Sequence, residues 1–304
     1  MRIAVTGSTG LIGSALVPRL RTDGHHVLRI VRGRAGADEV GWDPTAGTID
    51  TDLLRGVDAV VHLAGAGVAD RRWSASVKGE ILSSRVKGTT TIASALATLA
   101  DPPSVLVSSS AVGYYGVCGD EVLTESSKSG TGFLADVCSQ WEGAAAAALA
   151  AGIRVATLRT GIVLSAAGGA LKKQLPIFRL GLGAKLGHGR QQLSWITRHD
   201  ATAAIAFLVD DDQASGPFNL TAPNPVTNAE FTKELGSTLH RPAVLAVPEA
   251  VLKLALGAEM AHETLMASQR ALPERQSAAG FTFVDAELPQ ALRSALGDRS
   301  LIPT

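Results

Sequence analysis

The opening 34 residues constrain this chain more than any other stretch. Arg2-Ile3-Ala4-Val5-Thr6 is a short apolar run suited to a buried strand, and Gly7-Ser8-Thr9-Gly10-Leu11-Ile12-Gly13 follows at once. A helical spacing of Leu11, Ala15, Leu16 and Leu20 closes at Gly24, and a second apolar run, Val27 to Val31, ends at Arg32. Strand, glycine turn, helix and strand make the first βαβ unit of a dinucleotide-binding fold. Gly7 lets the strand turn sharply, Gly10 lets a pyrophosphate approach the backbone, and Gly13 lets the helix lie close to the sheet. Unpaired N–H groups and a partial positive charge at the helix start favour phosphate. The expected cofactor-binding residues here are therefore Gly7, Ser8, Thr9, Gly10, Leu11, Ile12 and Gly13.

The end of the second strand bears on which coenzyme binds. An NAD site usually places an acid there for the ribose hydroxyls, whereas an NADP site often places an arginine for the 2′-phosphate. This strand ends Val31-Arg32-Gly33-Arg34, with two guanidiniums and no carboxylate. Because arginine grips phosphate bidentately, the expectation is NADP (NADPH), held by Arg32 and Arg34, in preference to NAD.

Further strands and helices alternate downstream. Residues 35–57 read as loop; Trp42 in it suits either an adenine ring at the sheet edge or a cap on the core. A third strand, Val57–Ala64, runs into Gly65, and its carboxyl end places Leu63, Ala64 and Gly65 near a cofactor. His62 reads as a packed strand residue. A helical region spans about 74–100; its Arg85 and Lys87 are candidate phosphate or substrate contacts or a solvated face. The fourth strand, Val105–Val107, leads to Ser108, Ser109 and Ser110 and then to Tyr114 and Tyr115. Ser108 is expected beside the cofactor. Ser109, Ser110, Tyr114 and Tyr115 are the candidate catalytic groups, with a packed turn as the other reading of the tyrosines.

A helix is expected over 132–151 and a fifth strand at Arg154–Arg159. Gly168-Gly169 and the stretch 180–189 read as irregular loops of the kind that carry substrate contacts. Thr227 or Asn228 can cap the helix bearing Glu230. Past Pro248 the pattern is one of short helices. The fold class is α/β: a Rossmann-type doubly wound parallel sheet over 1–220, with substrate loops from about 165, and a small, mainly helical C-terminal module over 221–304.

Charge and cysteine content narrow the function classes. Lys+Arg and Asp+Glu both number 28, so no electrostatic case arises for nucleic acid or an anionic membrane. No leader and no long uncharged apolar span is apparent. The two cysteines, Cys118 and Cys138, lack metal-ligand spacing and fit a reducing cytoplasm. No metal site is expected.

Thr6–Gly13, Asp58–Gly65 and Ser108–Val112 resemble the extended short-chain dehydrogenase/reductase superfamily. Ser110–Gly116, Phe133–Cys138, Leu158–Leu164 and Thr221–Thr227 resemble, more narrowly, its NAD-dependent epimerase/dehydratase-like "epimerase family protein" group, which ends in a domain of unknown function. The resemblance covers nearly the whole chain. It implies an NADP-binding Rossmann domain, a C-terminal helical module and a possible homodimer through the helices near 74–100 and 132–151; it implies no particular substrate. The superfamily's tyrosine, lysine and glutamate, spaced four apart, fall on Leu134, Cys138 and Glu142. Leucine has no proton to give and a thiol supplies no positive charge. Two functions follow: an NADP(H)-dependent oxidoreductase or epimerase-like enzyme on a small carbonyl or nucleotide-sugar-type substrate, or a non-catalytic NADP(H)-sensing regulator.

Overall fold

The structure, a computed structural model, describes residues 1–297; the last seven residues of the expected C-terminal module lie outside them. Apolar runs, buried on both faces in the central strands, build one large sheet in the order β13-β8-β6-β5-β1-β2-β3-β4. Its strands are β1 (Arg2–Thr6), β2 (His26–Arg32), β3 (Glu39–Asp43), β4 (Thr48–Ile49), β5 (Ala59–His62), β6 (Val105–Ala111), β8 (Arg154–Thr160) and β13 (Gly216–Leu220). β1 pairs in parallel with β2 and β5, β5 with β6, and β2 with β3; β4 returns antiparallel on β3. This is the expected mostly parallel, Rossmann-like sheet, followed by a smaller helical C-terminal module.

Contacts divide the chain into two interleaved units: 1–110, 137–159 and 202–218 in the first, and 111–136, 160–201 and 219–304 in the second. In the first, α1 (Gly13–Thr22) follows the glycine turn and α2 (Ala75–Ala97) begins at Ser74, whose hydroxyl accepts the Val77 N–H. Leu28, Ile30, Val60, Ile92, Leu96 and Leu106 sit in its core. The alanine-rich helix expected over 132–151 is broken, into α3 (Phe133–Gly143) and α4 (Ala146–Ala150).

The second unit holds short strand pairs: β9 (Ile162–Leu164) with β12 (Trp195–Thr197), β10 (Ala184–Leu186) with β15 (Leu245–Val247), β11 (Gln192–Leu193) with β14 (Val226–Thr227), and β7 (Val122–Leu123) with β16 (Arg270–Ala271). Its helices include α5 (Gly169–Arg179), α7 (Asn228–Thr238), α8 (Glu249–Leu256), α9 (Ala258–Met260), α10 (Glu274–Ala278) and α11 (Leu288–Leu296); α6 (Arg198–Asp210) falls mostly in the first unit. Thr227 caps α7 in a reciprocal box with Glu230.

Two expectations are corrected. Residues 35–57 are not simply loop, because β3 takes its register from β2, Arg29 opposite Glu39 and Arg32 opposite Trp42. Gly168-Gly169 and the stretch 180–189 are not irregular throughout: Gly169 opens α5, and β10 within 180–189 pairs with a strand about sixty residues downstream. The strands β3 and β10 gain their bonds from partners on other segments that local pattern does not reveal. Among the described residues no helix is long and apolar enough to cross a membrane.

Candidate coenzyme cleft

The turn between β1 and α1 needs its glycines for steric reasons. Gly7 has φ +63°, and a Cβ there would lie 2.9 Å from the Leu63 carbonyl carbon. A Cβ on Gly13 would lie 2.2 Å from the Gly7 oxygen, far inside any permitted contact. Gly10 donates its N–H back to the Gly7 oxygen at 2.9 Å, closing the turn. Among the described residues, no protein acceptor takes the N–H groups of Ser8, Thr9, Leu11 and Ile12. Four unspent donors at the head of a helix suit an anion.

The turn opens on a cleft of about 920 Å³. Of the residues expected to bind cofactor, Gly7, Ser8, Thr9, Gly10, Arg32, Leu63, Ala64 and Gly65 line it together. Leu11, Ile12 and Gly13 start the helix and are not on its wall, and exposed Arg34 and buried Ser108 do not line it either. Arg85 is buried behind Gly65: a Cβ on Gly65 would lie 3.6 Å from the Arg85 guanidinium carbon. That carbon stands 4.8 Å from the Trp141 ring centroid, and Nη1 donates to the Ile81 oxygen at 3.0 Å. Burial lowers the Arg85 pKa, and the nearby Cys138 opposes that shift.

Sequence reasoning missed Glu80 and Ser84, which line the cleft with Lys87. Their spacing of four and three is that of one helix face, a signal present in the sequence. Asp70 and Arg71 also line the cleft, and Arg71 donates to Glu80.

A buried pair fixes the opposite lip. Thr6 Oγ1 accepts the N–H groups of Leu63 and Ala64 at 3.0 and 3.2 Å, so its own hydrogen points to His62 Nδ1, 2.8 Å away. That leaves the imidazole proton on Nε2, which has no partner. His62 is fully buried, edge-on to Trp42 at 5.9 Å, and burial lowers its pKa from 6.5 to about 4. It is a packed strand residue, as expected. Between these two pH values the unfolded chain binds a proton that the folded chain refuses. Stability is therefore complete above 6.5 and declines as the pH falls toward 4. The loss is on the order of 3 kcal/mol. In His62→Asn, which keeps an acceptor for Thr6, urea midpoints measured against pH should flatten across this window. A slope that survives would place the titration elsewhere.

Farther along the sheet, Ser110 Oγ donates to Glu142 Oε1 at 2.7 Å, and Arg159 grips the same carboxylate through Nε and Nη2 at 2.9 and 3.0 Å. Arg159 is 4% exposed. Ser109 is half-buried, and Cys138 on α3 is buried.

The other two catalytic candidates belong to the second unit. Tyr115 is fully buried; its hydroxyl lies 2.6 Å from Asn219 Oδ1 and 3.0 Å from the Thr124 oxygen. Asn219 is itself oriented by donating to the Leu272 oxygen. Tyr114 packs edge-on against Tyr115 and stays half-buried. His199, Asp200 and Asp285 place ligand-capable atoms within 4.8 Å of one another. Asp200, however, spends its oxygens on the N–H groups of Val284 and Asp285, as a tie between segments does.

The model of the NAD dependent epimerase/dehydratase family matches residues 3–221, and a domain of unknown function, DUF1731, matches 247–295. An epimerase family protein of Mycobacterium bovis is 45% identical over 95% of this chain and 96% of its own. The crystal structure of human epimerase family protein SDR39U1 with NADPH is 32% identical, with a TM-score of 0.89 over 98% of this chain and all of that one. A nucleoside-diphosphate sugar epimerase from Corynebacterium glutamicum is 39% identical, with a TM-score of 0.80 over 98% of this chain and 58% of that one.

The expected preference for NADP over NAD is corrected by these structures. MoeE5, at 22–23% identity and TM-scores of 0.71–0.72, holds NAD in two complexes, and DesIV from Streptomyces venezuelae, at 21–22% identity, holds NAD in two more. NAD is at least as well supported as NADP. The strand-end reading also overlooked β3 and β4. A hollow of about 590 Å³ beside Arg32 is lined by Asp43 and Asp50 as well, so acids and a guanidinium share the place where one strand end offered only cations.

Proposed function

Because the chain belongs to the NAD-dependent epimerase/dehydratase family, we propose that it binds a nicotinamide dinucleotide along the Gly7–Gly10 turn and acts as an oxidoreductase or epimerase-like enzyme on a nucleotide-sugar-type substrate. The carrying observation is the set of unspent amides at Ser8, Thr9, Leu11 and Ile12, a fit for pyrophosphate. The human relative's NADPH and the Corynebacterium relative's description as a nucleoside-diphosphate sugar epimerase support the coenzyme and substrate classes. When bound, the nicotinamide supplies the capacity to take up or give back a hydride.

The chain's own residues have separable tasks. The amides neutralise phosphate, while the lip held by Thr6 and His62 presents Leu63–Gly65 to the cleft. Arg85, with one guanidinium nitrogen spent on its own helix, adds fixed positive charge behind Gly65. Glu142 is committed to Arg159 and orients Ser110, which leaves Ser109 as the strand-end hydroxyl for a substrate or carboxamide oxygen. Tyr114 and Tyr115 remain the candidate groups for proton transfer, Tyr115 with its hydroxyl directed at Asn219. The sensing alternative rests on Leu134 and Cys138, which cannot replace a tyrosine and a lysine.

Titration calorimetry with oxidised and reduced forms of both coenzymes tests the shared premise, with micromolar binding of at least one expected. If none binds, both readings fall. Binding without any change in nicotinamide absorbance across a panel of nucleotide sugars and small carbonyls would leave only the sensor.

A further inference from the structure

We propose that the face built from the end of α5, the β10–β15 ladder and α8 docks on an anionic phospholipid surface. The chain's zero net charge hides a local imbalance. Residues 172–190 contain Lys172, Lys173, Arg179, Lys185 and Arg190, with no aspartate or glutamate. Over 240–256 the single acid, Glu249, is already paired with Lys253 at 2.8 Å.

Large apolar side chains stand in the open on these same segments. Val244 is 86% exposed, Leu254 80% and Leu180 74%, with Ile177, Leu182 and Leu245 about half exposed. The first two segments form one surface. Leu182 donates its N–H to the Ile177 oxygen, Arg241 Nε donates to the Arg179 oxygen at 3.0 Å, and Ala184 stands opposite Leu245 in the ladder. α8 begins two residues past β15 and adds Leu254 and Lys253.

Exposed aliphatic groups on segments rich in exposed Lys and Arg match a bilayer interface. The former sink to headgroup depth while the latter meet lipid phosphates. A second copy of the chain fits less well, because a two-fold contact would set two cationic rims against each other. None of these residues lines the coenzyme cleft, so the inference stands apart from the coenzyme reading.

The full chain is floated with phosphatidylcholine vesicles and with vesicles that also contain phosphatidylglycerol. Binding is expected to be on the order of tenfold stronger to the second kind and to fade at high salt. Leu180→Glu combined with Val244→Glu should abolish it with an unchanged urea midpoint. Arg179→Gln combined with Lys185→Gln, which spares the apolar groups, should remove the preference for anionic lipid. Equal binding to both vesicles, or to neither, overturns the proposal. So does a dimer by light scattering that the glutamate pair dissociates, which would assign the face to a second copy.

Discussion

Gly13→Ala is expected to cost the protein its coenzyme binding and much of its stability. The added methyl would sit 2.2 Å from the Gly7 oxygen and 2.8 Å from the Ser8 α-carbon, both backbone atoms that cannot swing aside. The turn must open, and overpacking of this kind costs about 1–3 kcal/mol. Opening also misaligns the unspent amides, so coenzyme affinity should drop by about 100-fold or more, roughly 2.8 kcal/mol. Gly10→Ala makes a useful contrast, because its methyl would meet the Gly7 oxygen at 3.2 Å, a contact that a small shift relieves. Urea midpoints and calorimetric titration of both variants check the ranking. A Gly13→Ala protein as stable as wild type, with undiminished affinity, would remove the steric account of the turn.

Glu142→Ala should be the more damaging change for the fold itself. It leaves the 4%-exposed Arg159 guanidinium without the carboxylate that grips it twice, and takes the acceptor from Ser110. Breaking a buried pair from one side costs about 3–5 kcal/mol, because the remaining charge stays desolvated. Removing both charges is cheaper, so Glu142→Met with Arg159→Met should be clearly more stable than Glu142→Ala. A double-mutant cycle in urea measures the difference. Equal destabilisation of single and double variants would mean that the pair is worth little and that packing dominates.

Much of the nucleotide unit was legible because its signals are local. A strand, a glycine turn and a helix announce themselves by spacing within 34 residues, and the Thr227–Glu230 cap lies within four. The cleft wall at Leu63–Gly65 was equally readable, since the carboxyl ends of parallel strands share one edge. The helix face carrying Glu80, Ser84 and Lys87 was readable too, but its polar side gave no reason to prefer a cleft over solvent.

Other features depend on residues far apart in sequence. The lip of the cleft needs Thr6 to meet His62, and the strand-end serine is held by a glutamate thirty-two positions later. The coenzyme expectation failed for the same reason. Arg32 was judged from its own strand, while Asp43 and Asp50 reach its side only once β3 takes its register on β2. A count of charges likewise gave neutrality and said nothing of where the cations gather. The sequence by itself determined that this chain builds a parallel sheet with a tight glycine turn ahead of its first helix, because periodicity and glycine sterics act over a few residues. Tertiary structure alone decided which charged and polar groups face one another, because hydrogen bonds and ion pairs depend on distance in space, which strand register sets.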